Sequence, residues 1–497
     1  MWSIALLMRG FAYLLLSLLV LQLTLAAREF DVVVYNVENL FDVDGVALFN
    51  DYKPKAPDDL EAYTPEKLLT KLQNICQVLK GFNNGAGPDV ILFQELEADF
   101  TPDSSVTSLG RFLREYQGLT VEEMLTSGWQ KAYAGLPSHA WLLKALADAG
   151  MVGYEVVVAP AKGLDSGIAH TNAVFSRFPI TEFELHPLYQ ARDIIEAELD
   201  VDGDPLYVFV NHWKSGASNP KREPIRVENA KVLRKLVDAR LAKDPMADIL
   251  VAGDLNSHYN HSVLFPEIET TGINDILGSQ GNERAVQDMK GAHLYNLWFE
   301  LPHEERYSEV WRGKRGSLMH LLLTAGLYDS KGVHYVDNSF QVVHLPEVNA
   351  DALGRPLKWN AVGQTGGGYS DHFPISARFS TEKNPRWATP SIGDGAPDYE
   401  LPLGYAEAKP LELQNGAFLA SLDDSEIGPY VGKIYTVRAS VVQRRPLRID
   451  VEGSVWNTYV PNKALFSALM EGEGELDLVV SLGFYRGKRQ FVIEAIR

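Results

Sequence analysis

From residue 30 onward, strand-like and helix-like patterns alternate along the chain. Phe30-Asp31-Val32-Val33-Val34-Tyr35 is a β-branched run and predicts a strand. Residues 65–82 carry Leu68, Leu69, Leu72, Ile75, Val78 and Leu79 at helical spacing. Pro65 at the start and Gly81 near the end suit the termini of a helix there. Val90-Ile91-Leu92-Phe93 reads as a buried strand. Further strands are expected at 154–158, 173–176, 194–199, 206–211 and 249–252, with a helix at 224–241 before the last. Strands mixed with helices indicate a layered α/β or α+β domain.

The pattern changes after Phe379. Residues 380–404 hold Pro385, Pro390, Gly393, Gly395, Pro397 and Pro402, a density that marks a linker. Beyond it, strands are predicted at 434–442, 447–451 and 455–460, then a short helix at 463–470, then strands at 476–484 and 490–496. Tyr485-Arg486-Gly487-Lys488 would turn the last hairpin. The order β-β-β-α-β-β is that of a small OB-like barrel, with a small sandwich as the alternative. The expected divisions are 1–27, 28–380, 381–430 and 431–497.

Composition narrows the class. At 497 residues with 46% apolar and 22% charged positions, the chain is ordinary globular protein of two to three domains. Its net charge of −19 argues against a protein that coats nucleic acid, whose footprint would be basic, but allows a local basic site. The acid is unevenly spread: residues 431–497 hold 10 Lys/Arg and 7 Asp/Glu, a net +3. Cys76 is the only cysteine, so there is no internal disulfide and no Cys-rich zinc site. Within the predicted helix it is expected to be a buried small residue. Residues 1–27 read as a secretory signal: Arg9 charges the start, an apolar run follows at 11–25, and Thr24-Leu25-Ala26 places small residues near a cleavage point. An uncleaved anchor is the alternative, although the run is short for a span. A secreted or periplasmic location is the expectation.

Five short motifs close predicted strands with polar, acidic or imidazole groups. They are Tyr35-Asn36-Val37-Glu38-Asn39-Leu40, Pro88-Asp89-Val90-Ile91-Leu92-Phe93-Gln94-Glu95, Val210-Asn211-His212-Trp213-Lys214-Ser215, Val251-Ala252-Gly253-Asp254-Leu255-Asn256 and Gly368-Tyr369-Ser370-Asp371-His372-Phe373-Pro374-Ile375. Strand ends on a rigid sheet can bring distant residues to one cleft. Glu38, Glu95 and Asp371 offer hard oxygen ligands suited to Mg²⁺, Mn²⁺ or Ca²⁺. His212 and His372 are acid/base candidates near neutral pH. Asn36, Asn211 and Asn256 can bond a phosphoryl oxygen or orient a water. Together these groups describe metal-assisted attack of water on an anionic ester. Each motif alone is weak, because an Asp-Leu-Asn after a strand is most often a turn and a lone Asp-His is usually nothing.

In this order, the motifs resemble the endonuclease/exonuclease/phosphatase superfamily, which includes deoxyribonucleases, AP endonucleases, neutral sphingomyelinases and inositol polyphosphate 5-phosphatases. The resemblance covers about residues 29–379. It implies an α+β fold, a four-layer αββα sandwich with its site at one end of two packed sheets, here followed by the smaller all-β domain. It further implies that Asn36 contacts phosphate and that Glu38 stands near the metal. Glu95 would be the main metal ligand, with Asp371 assisting. His212 would be a general acid or phosphate stabiliser. Asp254 would position or deprotonate water, Asn256 would hold a phosphoryl oxygen, and His372 would contact the scissile phosphate. One departure stands out: the family usually has an aspartate that orients this last imidazole, and Met319 falls at its place in Ser317-Leu318-Met319-His320. A thioether cannot fix a histidine tautomer as a carboxylate can. Another group must then orient His372, or activity is reduced. His320 is a possible substitute or simply a packed histidine.

Arg192, Lys214, His170 and Asn172 are further candidates for holding substrate, with surface salt bridges as the plainer reading of the first two. His258, Asn260 and His261 read as loop residues. Nucleic acid, DNA or RNA, is the expected substrate, on three grounds: the export signal, the OB-like module, and its basic residues with aromatics Trp456, Tyr459, Phe484 and Tyr485. A phosphorylated small molecule or lipid head group is the runner-up. The lipid reading wants an exposed apolar hairpin; Trp298-Phe299-Leu301 is one candidate, with core packing as its plainer reading. A degenerate, non-catalytic binding protein is the third reading, and Met319 is what favours it. The expected enzyme is a metal-dependent phosphodiesterase.

Overall fold

The computed structural model describes residues 28–46, 59, 61–99, 106–160, 169–289, 293–383, 385, 416–472 and 474–497. The expected signal at 1–27 and most of the expected linker at 381–430 lie outside them. Two seven-stranded sheets form the larger unit. The first runs in the order β14 (His334–Tyr335), β16 (Ile375–Ser380), β1 (Glu29–Leu40), β2 (Val90–Glu97), β4 (His170–Ser176), β3 (Glu155–Val158), with β15 (Gln341–Val342) also on β16. The second runs β5 (Ile180–His186), β6 (Ile194–Val201), β7 (Asp204–His212), β8 (Ile249–Asp254), β13 (Met319–Leu323), β10 (Leu294–Asn296), β9 (Ser279–Gln280).

Alternation along each strand builds the layers. On β1, Val32 and Val34 join the core between the sheets, together with Val208, Val210, Leu250, Ala252 and Leu321. Val33 and Tyr35 face the other way, onto the helices Pro65–Leu79 and Ser138–Asp148 through Leu68, Leu72, Ile75 and Trp141. Behind the second sheet, Phe209, Val251 and Leu322 pack on Ala230, Leu233 and Val237 of the helix Glu223–Lys243. The result is helix, sheet, sheet, helix. Thr64 caps the helix Pro65–Leu79, with its side chain accepting from Lys67 N. No helix among the described residues is long and apolar enough to cross a membrane.

The C-terminal strands β17 (Ile434–Arg444), β18 (Leu447–Val451), β19 (Ser454–Tyr459), β20 (Glu475–Tyr485) and β21 (Lys488–Ile496) close into a barrel in the order β17-β18-β19-β21-β20. The helix Lys463–Glu471 lies between its third and fourth strands in sequence. This is the OB-like arrangement, and closure removes the small-sandwich alternative. Trp298 is fully buried, with Phe299 and Leu301 packed on the same core, so this trio is not an exposed hairpin. Of the barrel aromatics, Trp456 is core while Tyr459 and Tyr485 are exposed.

The barrel is joined to the sandwich through residues 351–369. Val362 belongs to the barrel's core. Gln364 N donates to Ser425 O (2.7 Å), and Arg355 makes two bonds to Glu494 (3.0 and 3.1 Å) while also holding Asp351.

Candidate active site

Parallel pairing puts the C-terminal ends of β1 and β2 side by side, and does the same for β7 and β8. His212 pairs directly with Asp254 across β7 and β8. The approach is close: a Cβ on Gly253, whose φ is +124°, would collide with the Asn211 carbonyl. Irregularities then re-aim the acids. β1 breaks register between Asn36 and Leu40, and β2 between Gln94 and Leu96. Glu38 and Glu95 sit at these breaks with φ of 49° and 66°, conformations that a side chain adopts only under constraint.

The result is one buried cluster. Asn36 Nδ2 lies 3.2 Å from both Glu95 Oε1 and Asp254 Oδ2. His212 Nε2 is 3.6 Å from Asp254 Oδ2 and 3.8 Å from Glu95 Oε1. His372 Nε2 is 3.8 Å from the same Asp254 oxygen and 3.7 Å from Asp371 Oδ1. Ser370 locks this end of the chain to β1: its hydroxyl donates to Asn36 O (2.7 Å) and accepts from His372 N (3.1 Å). Asp254 Oδ1 accepts from Asn256 N (2.9 Å), and Asn256 Nδ2 reaches Trp213 O (3.2 Å).

The two histidines are driven apart in proton affinity. Burial holds His212 well below the ordinary imidazole range, and the nearby charges of Arg192, His170 and His372 push the same way. Burial also acts to lower His372, but Asp371, Asp254 and Glu309 outweigh it and raise the group to about 9. At neutral pH the first is a neutral imidazole and the second a cation. Burial also raises Asp254, a trend opposed by His372 and by the hydrogen bonds from Asn256 and Asn36.

Glu309 is the residue that sequence reasoning missed. It stands on β11 (Glu309–Trp311) and makes an isolated bridge to His372. Its Oε2 lies 3.8 Å from His372 Nδ1 and accepts from Ser308 Oγ (2.7 Å) and Leu318 N (3.2 Å). A side chain at Gly316 would strike its carboxylate, so the bare glycine is part of its cradle. A carboxylate from a different strand thus stands at ion-pair distance from His372 Nδ1, which has no hydrogen-bond partner in the protein. The signal was the gap itself, because a fixed imidazole needs an acceptor. His320 is not the substitute: it is fully buried and bonded to Ser257 O (2.8 Å) and Asn296 (3.1 Å).

A second missed residue is Lys71, buried on the apolar stripe of the helix Pro65–Leu79. Its ammonium donates to Tyr369 O (2.6 Å) and lies 4.8 Å from the Trp359 ring centroid. A lysine between Leu68 and Leu72 was the available hint. Burial lowers it to about 7, against the pull of Glu38, Asp371 and Glu95.

Arg192 is brought to the cluster. Its Nη2 lies 3.2 Å from His170 Nδ1, its backbone N donates to His212 O (3.3 Å), and Glu95 and Asp254 act on it electrostatically. His170 therefore supports Arg192. Asn172 Nδ2 is bonded to Asp193 O (2.9 Å), and its buried Oδ1 has no protein partner. Lys214 lies on the half-buried loop after β7, close enough for Arg192 and Arg222 to lower it after burial does. The Asn211 amide is committed to Phe209 O (2.9 Å) and Ala252 O (3.4 Å) and accepts from Trp213 Nε1 (3.1 Å), so it braces the strands. His258 and His261 join buried structure around Ser317 and Glu223.

The donor set suits a hard divalent cation. Burial raises Glu38 to about 8 and raises Glu95, and in both Asp371 is the largest charge acting in the same direction. A cation would relieve that repulsion, and no sulfur competes. The Glu38 carboxylate is held in place by Trp359 N, which donates to its Oε2 (2.8 Å). A tighter trio, Glu184, His186 and Glu196, has ligand atoms within 4.8 Å of one another on β5 and β6. There Arg240 Nε already lies 2.5 Å from Glu196 and supplies the positive charge.

A profile of the endonuclease/exonuclease/phosphatase family matches residues 151–381. Over that segment the chain is similar to the family. The matched segment holds His212, Asp254, Glu309 and His372, and the geometry joins to it Asn36, Glu38 and Glu95 from before it. No curated protein matches the chain. Solved structures similar to it include D. rerio TDP2 complexed with single strand DNA product, at 14% identity over 71% of this chain and 98% of that one, TM-score 0.37. A family protein from Bacteroides thetaiotaomicron is 13% identical over 72% and 99%, TM-score 0.38. The 3′ phosphatase NExo from Neisseria, bound to product DNA hairpin, is 13% identical over 72% and 100%, TM-score 0.36.

Proposed function

We propose that this chain is an exported, divalent-metal-dependent phosphodiesterase that cuts nucleic acid. The observation that carries the reading is the single buried cluster of Asn36, Glu95, His212, Asp254 and His372, linked by contacts of 3.2–3.8 Å. Around it, His212 Nδ1, Arg192 Nε and Asn172 Oδ1 are buried without a protein partner, which is costly unless a ligand meets them. Glu95 and Asp371, with Glu38 beside them, would hold the cation, which would polarise the phosphoryl group and offset its charge. Arg192 and neutral His212 offer donors to the phosphoryl oxygens. Asp254, raised by burial, is placed to accept a proton from the attacking water. Protonated His372, held by Glu309, donates to the scissile phosphate or the departing oxygen. The trio Trp298-Phe299-Leu301 does not serve the lipid alternative, because Trp298 is fully buried in the core. Residues 1–27 are taken as the export signal, which N-terminal sequencing of secreted protein would test.

The test is a substrate panel of duplex DNA, single-stranded DNA, RNA, sphingomyelin and inositol phosphates, with Mg²⁺, Mn²⁺, Ca²⁺ or chelator. Chelator-sensitive cutting of nucleic acid is expected, with His212→Ala and His372→Ala each slower by at least about 10²-fold. Near wild-type rates in either variant would overturn the assignment.

A further inference from the structure

A two-stranded hairpin stands beside the catalytic cluster, and the reaction uses only its base. β11 pairs with β12 (Lys314–Gly316), with Glu309 opposite Gly316 and Trp311 opposite Lys314. The turn residues Arg312 and Gly313 have φ of 51° and 77°, the double left-handed pair of a tight two-residue hairpin. The tip is therefore a tight turn, and the hairpin's base is anchored by Glu309 at His372.

The tip presents an indole with cations around it. Trp311 is 60% exposed, a large apolar surface to leave in water. The Arg312 guanidinium and the Lys358 ammonium lie 5.6 and 5.4 Å from its ring centroid. Lys314 faces it across the hairpin, and Arg315 lies over Tyr307 at 4.5 Å. Four cations thus gather in a chain whose net charge is −19, and the hairpin's own acid, Glu309, is turned inward and buried. Lys358 also precedes Trp359, whose N–H holds Glu38. The patch is tied to the reaction centre from both sides. Two residues at about 3.3 Å each set the indole roughly 7 Å from Glu309, a reach of one to two nucleotides.

We propose that this hairpin is a single-strand subsite: Trp311 stacks on an unpaired base next to the scissile phosphate, and Arg312, Lys314 and Lys358 take the adjoining phosphates. A base offers its face only when it is unpaired or splayed, and an indole flanked by cations suits that face together with its backbone. The inference rests on the nuclease reading and adds the form of the substrate.

The test compares kcat/KM on a single-stranded oligonucleotide, the matching duplex and bis(p-nitrophenyl) phosphate, which is too small to span cluster and hairpin. Wild type should prefer the single strand. Trp311→Ala should lower the ratio of oligonucleotide to small-ester kcat/KM by about tenfold, with Trp311→Phe restoring most of it. Arg312→Ala with Lys358→Ala should flatten the salt dependence of oligonucleotide binding. Phe183→Ala, which removes an exposed ring on β5, should leave every ratio unchanged. If wild type cuts nucleic acid but Trp311→Ala keeps the wild-type ratio, or if the duplex is preferred, the subsite is overturned and the nuclease reading stands. If wild type cleaves only the small ester or a lipid, the nuclease reading falls and the subsite falls with it.

Discussion

At the end of the sandwich, Asp254 and Glu309 are withdrawn from water and each lies 3.8 Å from His372, their cation, while Glu95 lies 3.8 Å from His212. On the barrel, Arg438 pairs with Asp477 at 3.0 Å while both side chains remain largely in solvent, 63% and 43% exposed. The same kinds of group are used to opposite ends. Solvent screens the barrel pair, so its geometry decides little. In the sandwich each group's protonation is set by its neighbours, which is the condition for acid/base work. Arg355 and Glu494 are the exception that joins the regions: a mostly buried, two-bond pair in which the barrel holds the loop that in turn holds Glu38 through Trp359.

The comparison can be broken by substitution. The largest effect is expected from Glu309→Gln, which should slow turnover by on the order of 10²-fold, as loss of an imidazole's carboxylate partner does elsewhere. It carries a signature. Glu309 helps raise His372 to about 9, so without it that proton leaves at lower pH and the alkaline limb of the activity profile moves toward neutrality. Glu309→Asp should recover part of both; an unmoved limb would show that Glu309 only packs. Next comes Arg355→Ala, which leaves Glu494 buried without its partner. We expect a loss on the order of 3 kcal/mol in denaturant unfolding and a several-fold fall in turnover, although the bond it breaks joins loop to barrel. Unchanged turnover would mean that the barrel does not support the site. Arg438→Ala is expected to change neither, and a clear loss there would erase the contrast. The smallest effect concerns Cys76, whose thiol burial pushes up to about 12. It should label slowly in the native chain and promptly once unfolded, as followed with a chromogenic disulfide reagent.

Much of this was legible in sequence because strong local patterns survive folding. The strand at 447–451 falls where β18 lies, and the helix at 463–470 is within one residue of the observed one. Strand-end motifs brought Asn36, Glu95, His212 and Asp254 together because parallel neighbours end together, while His372 comes from the segment just before β16, which is antiparallel to β1. What escaped depended on partners far away in the chain. β5 has mostly exposed or half-buried residues and no clean apolar run. Glu309 sits on a three-residue strand, too short for any period, and gains its meaning only from His372 across a fold-dependent bridge. Asn211 reads like its active neighbours, yet the tight β7–β8 contact turns its amide onto backbone.

The groove between loop and barrel has a practical side. Gly363 and Gly367 lie against Ser425 and Gly428 so closely that a methyl group on either would sit 2.6 or 2.5 Å from a carbonyl oxygen. Val362 is shared with the barrel's interior. Anyone trimming the gene after the last sandwich strand would therefore expose a socket moulded to an absent guest. Grafting the catalytic half onto another scaffold calls for carrying the barrel along or resurfacing residues 355–367 first.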